Sequence, residues 1–154
     1  MRIAIASDHP AVALKARLVD LLKARGHEVL DLGTHGPESV DYPDYALRVT
    51  DCVTGGKCDS GILICGTGIG MSLAANKVAG IRAALVTDSY MARMARAHND
   101  ANVLCLGARV IGEGLAEEIL DAWLTTPFAG GRHAVRIDKI TRIERRSLCG
   151  QSDS

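Results

Sequence analysis

The sequence predicts an α/β domain of the doubly wound type, with one five-stranded parallel sheet and helices on both faces. A last helix is left over, to pack on a partner subunit or to lie as an ordinary surface helix. Three observations carry this reading. Short β-rich runs alternate with helical stretches from end to end, which calls for right-handed crossovers and a sheet covered on both sides. The 154 residues are 47% apolar, enough for one domain that buries roughly 70% of its unfolded surface. The segment 130–146 comes after a proline, opens on two glycines, has helical spacing, and leads into no further strand.

The elements follow in order. "RIAIAS" (2–7) reads as the first strand and "AVALKARLVDLLKARG" (11–26) as the first helix, with Leu14, Leu18, Leu21 and Leu22 on one face and Gly26 as its stop. "HEVLDLG" (27–33) is the second strand. "DYPDYALRVTDCVTGG" (41–56) is a helix with Pro43 in its first turn, again closed by glycine. "SGILICG" is the third strand, and its glycine loop opens into the short helix "MSLAANKV". "IRAALVT" (81–87) and helix "DSYMARMARAHN" (88–99) come next, then strand "ANVLCLG" (101–107) and helix "EGLAEEILDAWLTT" (113–126). In the last segment Ile137, Ile140 and Ile143 mark one helical stripe, and the other faces are basic. Residues 1–146 are thus expected to form a single domain, and "SLCGQSDS" (147–154) a disordered tail.

Composition narrows the function classes. Basic and acidic residues balance at 18 each, so no net field draws the chain to nucleic acid or an anionic membrane. Five residues in all are Phe, Trp or Tyr, too few for a base-stacking platform. The start "MRIAIASDHP" lacks a signal-peptide pattern, and no run reaches the length of a membrane span. The five cysteines (Cys52, Cys58, Cys65, Cys105 and Cys149) are odd in number and form no CxxC pair. Free thiols in a reducing cytoplasm are therefore expected, with no metal site.

Ligands of open parallel sheets bind beyond the carboxyl ends of the strands. Strand one delivers Asp8 and His9 there, and strand three delivers Cys65 with Gly66, Gly68 and Gly70. The helix after strand four ends at His98 and Asn99, and strand five leads to Arg109. These polar groups are expected to converge on one rim. Each also has a plainer role: Cys65 as packing, Asp8 as a helix cap, His9 as a solvated loop residue, and His98 with Asn99 closing a helix carboxyl end.

The glycine loop admits three readings. A phosphate-binding P-loop needs a lysine that is missing here. The dinucleotide pattern GxGxxG has Gly66 and Gly68 in place and Asp88 downstream, but Met71 stands at the third glycine. The remaining reading is an anion hole of consecutive amides beside a cysteine that a helix amino terminus activates. Arg132 and Arg136, four apart, share a helical face that suits a phosphate, or else a solvated basic surface. A cysteine base, an anion hole and a phosphate clamp together imply proton abstraction on a sugar phosphate. A Cys65–His98 hydrolase dyad and a nucleotide-binding module remain open on the residues alone.

The segments "SDHP", "DYPDYA", "ILICGTGIGMSLAANK", "GIRAAL", "RAHNDANVLCLGARVIG" and "GGRHAVRI" together closely resemble the ribose-5-phosphate isomerase B family, whose superfamily includes galactose-6-phosphate isomerase. The resemblance spans about residues 1 to 145. It implies a cofactor-independent aldose–ketose isomerase working through a cis-enediolate, on a five-carbon or alternatively a six-carbon sugar phosphate. Cys65 matches the family's base and His98 the residue that opens the furanose ring. Gly66, Thr67, Gly68, Ile69 and Gly70 match the loop whose amides hold the enediolate oxygen. Asp8, His9 and Asn99 match sugar-contacting positions, with His9 near the phosphate, and Tyr42 matches an aromatic pocket contact. Arg109, Arg132 and Arg136 match phosphate ligands, the last two reaching into a neighbouring subunit's site. A homodimer with shared sites is thereby implied, and whether dimers pair into a tetramer stays open. Where part of the family has a glutamate base past the loop, this chain has Met71, so the cysteine mechanism is the one implied. Pro10, where a small residue is usual, is compatible with starting a helix.

Overall fold

A computed structural model describes residues 1–150. Five strands, β1 (Arg2–Ser7), β2 (Glu28–Asp31), β3 (Ser60–Cys65), β4 (Ala83–Leu85) and β5 (Val103–Gly107), form one sheet in the order β2-β1-β3-β5-β4. Every pairing is parallel. The connections are α1 (Val12–Ala24), α2 (Tyr42–Thr54), α3 (Ile69–Ala75) and α4 (Ser89–Ala97), and α5 (Glu113–Thr125) and α6 (Arg132–Cys149) follow β5. Strands and helices stand where the hydrophobic periodicity puts them, with ends shifted by a few residues. A 3-10 turn at His9–Ala11 precedes α1, and Pro10 sits in its first positions, where a missing N–H does no harm.

Alternation along the strands explains the two layers. Ile3, Ile5, Ile62, Ile64, Leu104 and Leu106 point to one face and pack with Leu14, Leu18 and Leu22 of α1, Ala92 and Ala95 of α4, and Ile119, Leu120 and Trp123 of α5. Ala4, Ala6, Leu63, Cys65, Val103 and Cys105 point to the other and meet Ala46 and Val49 of α2 with Met71 and Ala75 of α3. Small residues dominate this second face, so its helices lie close. A methyl group at Gly61 would stand 2.5 Å from Val49 Cγ1.

One charged side chain lies almost wholly inside, more deeply than any other among the described residues. Lys15 of α1 is 2% exposed and holds both carboxylate oxygens of Asp31, at the end of β2, at 2.6 Å. The leucine stripe of α1 gives no hint of this, because the partner arrives from another element.

Two polar residues of the quoted segments brace the sheet. The Asn76 amide donates to the Ala83 carbonyl and accepts from the Ala83 N–H, closing the outer side of β4. Asn102 does the same for the 80–82 segment, accepting from the Arg82 N–H and donating to the Gly80 carbonyl.

Helix α6 corrects the expected tail. Ser147, Leu148 and Cys149, expected to be disordered, are its last turn. Leu148 continues the apolar stripe of Ile140 and Ile143, and the Ser147 hydroxyl donates to the Ile143 carbonyl. Residues 151–154 of that expected tail lie outside the described residues. Along all of α6 only His133 is buried, and Ile143 is 67% exposed.

Candidate active site

The glycine loop is built around the Cys65 sulfur. β3 ends at Cys65, the chain reverses through Gly66–Gly68, and the Gly68 N–H donates to Sγ at 3.1 Å. Gly68 has φ +79°, a left-handed conformation that suits glycine. A methyl group there would also stand 2.5 Å from Leu85 Cδ1 and 2.9 Å from the Leu106 carbonyl carbon. At Gly70 the space is taken by the Tyr42 ring, whose Cζ would be 2.6 Å from an added methyl. Tyr42 therefore roofs the start of α3. The Ile69 N–H turns inward to Thr67 Oγ1 at 3.2 Å, so two of the loop's amides are engaged within the loop itself.

Asp8 and Arg109 complete this edge. The Asp8 N–H donates to the Ile64 carbonyl, which places Asp8 beside the end of β3. Its side chain does not cap the helix, correcting that alternative. Asp8 is 8% exposed, and its Oδ1 is buried with no hydrogen-bond partner among the described residues. Burial pushes the carboxyl pKa up, against the opposing pull of His9, Arg109 and its own N–H. An unpartnered acceptor here is suited to a hydroxyl arriving with a ligand. The Arg109 N–H donates to the Gly66 carbonyl, and its guanidinium lies along the loop, 3.6 Å from where a methyl on Gly66 would be. His9 accepts the Val40 N–H at Nδ1 (3.3 Å), so Nε2 is the ring nitrogen left to face a ligand.

Cys65 is 4% exposed, so it is packed as well as placed. Its neighbour Cys105 is buried outright, and burial drives that thiol well above its ordinary range, reinforced by Cys65. Cys105 stays a protonated core residue. The difference between the two is position, since Cys65 ends its strand under a backbone donor.

His98 and Asn99 are elsewhere, which corrects the expectation of a single rim. A crossover helix runs antiparallel to its strands, so the carboxyl end of α4 returns to the edge where strands begin. The Asn99 carbonyl accepts from Arg82, just before β4, and Asn102 bonds across to Ser60 and Gly61 at the start of β3. At about 3.3 Å per residue the six-residue β3 separates the two edges by roughly 16 Å. Arg132 and Arg136 gather at this far edge with His98. The Ala129 N–H donates to the Ala97 carbonyl, and the His98 and His133 rings stack at 4.0 Å with an 8° interplanar angle. The structure thus brings together Asp8, His9, Tyr42, Cys65, Gly66–Gly70 and Arg109 in one half-site. His98, Asn99, Arg132 and Arg136 form a second.

A family model described as Ribose/Galactose Isomerase matches residues 3–140. The chain belongs to that family. Among its relatives, ribose-5-phosphate isomerase B of Escherichia coli K12 is 52% identical over 145 residues, 94% of this chain and 97% of that one. The solved ribose-5-phosphate isomerase B of Clostridium thermocellum is 60% identical, with a TM-score of 0.94 over 96% of this chain and 99% of that one. That of Mycoplasma genitalium, solved with bound ribulose-5-phosphate, aligns with a TM-score of 0.90 over 94% of this chain and 96% of that one.

In this ribose/galactose isomerase a broad cavity lies away from the glycine loop. A groove of about 720 Å³ runs beneath α6, lined by Ile81, Arg82, Asn99, Ile140, Ile143 and Leu148 among others. It adjoins the second half-site. His133 carries no signal in the sequence: it stands beside Arg132 in "GGRH", and nothing in the spacing shows that its ring lies on that of His98. No described helix is long and apolar enough to cross a membrane.

Proposed function

We propose that this isomerase interconverts ribose 5-phosphate and ribulose 5-phosphate without a cofactor, in a homodimer whose two sites are each assembled from both copies. The observation that carries the reading is the Cys65 sulfur, at the end of β3, receiving the Gly68 N–H while the Arg109 guanidinium lies against the same loop. One copy supplies the base and loop. The other supplies His98, Asn99, Arg132 and Arg136, which its own sheet holds too far from its own cysteine.

The chemistry follows from these placements. His98 gives a proton to the furanose ring oxygen as the bond from that oxygen to C1 breaks, and the C1 hydroxyl loses its proton to leave an aldehyde. The Cys65 thiolate then removes the C2 proton, and the electron pair forms the C1–C2 double bond as charge moves to the carbonyl oxygen. Loop amides facing that oxygen stabilise it, about 3 to 4 kcal/mol for a well-placed donor. The amides of Gly68 and Ile69 must first leave their internal partners to take part. Return of the proton to C1, with proton exchange between the two oxygens, yields the ketose. Asp8 accepts a sugar hydroxyl, Tyr42 walls the pocket, and Arg109, Arg132, Arg136 and His9 hold the phosphate.

Exposure along α6, where His133 alone is buried, supports the dimer. An odd count of five cysteines with no CxxC pair suits a reducing cytoplasm. The test is turnover of ribose 5-phosphate by wild type and Cys65→Ala, alongside allose and galactose 6-phosphates. Loss of turnover in a folded Cys65→Ala variant is expected, with the five-carbon sugar preferred. Unchanged turnover would reject the base, and a six-carbon preference would reassign the substrate.

A further inference from the structure

The His98 ring does not stand alone at the second half-site. It lies flat on the His133 ring, centroids 4.0 Å apart and planes 8° from parallel. His133 is the one buried residue of α6, 8% exposed, and its place is fixed by backbone rather than chance contact. Gly131, at φ +56°, turns the chain into α6, the His133 N–H donates to the Gly130 carbonyl, and the preceding Ala129 N–H is tied to Ala97, next to His98. The first turn of α6 is thereby clamped to the last turn of α4, with the two imidazoles as the contact.

We propose that His133 is a positioning residue for the isomerase, its imidazole serving as the flat seat that fixes the plane of the His98 ring for proton transfer to the sugar ring oxygen. This rests on the assignment of His98 given above. Stacking leaves the ring's edge nitrogens directed sideways and removes rotation about its last side-chain bond, the freedom that would otherwise spread the proton over many directions. Proton transfer needs heavy atoms within hydrogen-bond reach, so a wandering ring loses most productive encounters. The seat must also be uncharged. Burial first, then His98, then the Arg132 and Arg136 guanidiniums push the His133 pKa below its ordinary value, so at neutral pH it is neutral. A cationic seat would oppose a proton on His98; a neutral one leaves that proton to His98.

The test separates ring opening from enolisation. Ribulose 5-phosphate is open-chain, because its C5 hydroxyl carries the phosphate, so exchange of its C1 hydrogen in D2O needs no ring step. Wild type, His98→Ala, His133→Ala and His133→Phe are compared for kcat and KM on ribose 5-phosphate and for this exchange, with melting temperature as a fold control. Expected for His133→Ala is a fall in kcat on the order of tenfold, with KM and exchange each within about twofold of wild type. His133→Phe, which keeps a flat neutral ring, recovers most of the loss. If His133→Ala does not fold, His133→Asn takes its place. Equal loss in turnover and exchange, no loss in either, or failure of Phe to recover turnover would each overturn the positioning role. A His98→Ala variant with normal turnover would instead remove the ring-opening assignment itself.

Discussion

The Gly68 N–H and the Cys65 sulfur meet at 3.1 Å, closing a three-residue loop back onto the residue that begins it. The backbone here does what a second side chain does in other sites: it aims a donor at the sulfur. That arrangement needs Gly68 at positive φ, pressed between Leu85 and the backbone of Leu106. The loop geometry and the chemistry proposed for it therefore depend on the same residue.

Gly68→Ala should lower kcat/KM by at least tenfold and destabilise the fold by about 1–3 kcal/mol, through a strained left-handed backbone and a clash with Leu85. Gly112→Ala is the matching control, since its φ is −81° and nothing lies within 4 Å of an added methyl. Steady-state kinetics and thermal melts on both variants check this.

Asp8→Asn should separate stability from activity. The folded Asp8 pKa is raised above 3.8, so the native state binds that proton more tightly than the unfolded chain. The stabilising contribution is full below pH 3.8 and is lost as pH rises through the folded pKa. At pH 7 the buried carboxylate is a burden, and Asn removes the charge. A gain of about 1 kcal/mol, or about 2–4 °C in melting temperature, is expected at pH 7 and should shrink toward pH 3, with turnover strongly reduced. A gain that did not vary with pH would sink the burial argument.

Lys15→Met should cost about 2 kcal/mol, because it leaves Asp31 without its closest cation. Part of the Asp31 side chain reaches water, 27% by surface, which keeps the figure below that of a fully buried pair. In a double-mutant cycle, adding Asp31→Asn to Lys15→Met should cost less than the separate losses sum to. Strict additivity in urea melts would show that the pair contributes nothing.

Mixing two inactive variants tests the assembly of the site. In a two-fold dimer of Cys65→Ala with His98→Ala subunits, one site carries both lesions and the other carries none. After unfolding and refolding a 1:1 mixture, half the dimers are hybrids with one intact site, so activity should return to about a quarter of wild type. A site made within one chain would show no recovery.

Much of this molecule can be read along the chain. The sheet is legible because each strand alternates cleanly, as Ile3 and Ile5 do against Ala4 and Ala6. The helices are legible because Leu14, Leu18 and Leu22 recur at helical spacing. The glycine loop announced itself by composition. Three things were not legible, and each needed a third dimension. Lys15 is buried by an Asp31 sixteen residues away. Nothing in the motifs of Asn76 and Asn102 says that these side chains saturate backbone at strand ends. The edge that His98 occupies depends on chain direction as well as strand order, because the carboxyl end of a crossover helix returns to the edge where the strands begin.

The helix that buries a single side chain makes a last demand on this protein. Both faces of the sheet are already covered within one copy, so the folded state needs no company, whereas the function proposed for it does. On dilution, secondary structure should therefore persist at concentrations where turnover per chain has begun to fade, and the two curves should part at the affinity of one copy for another.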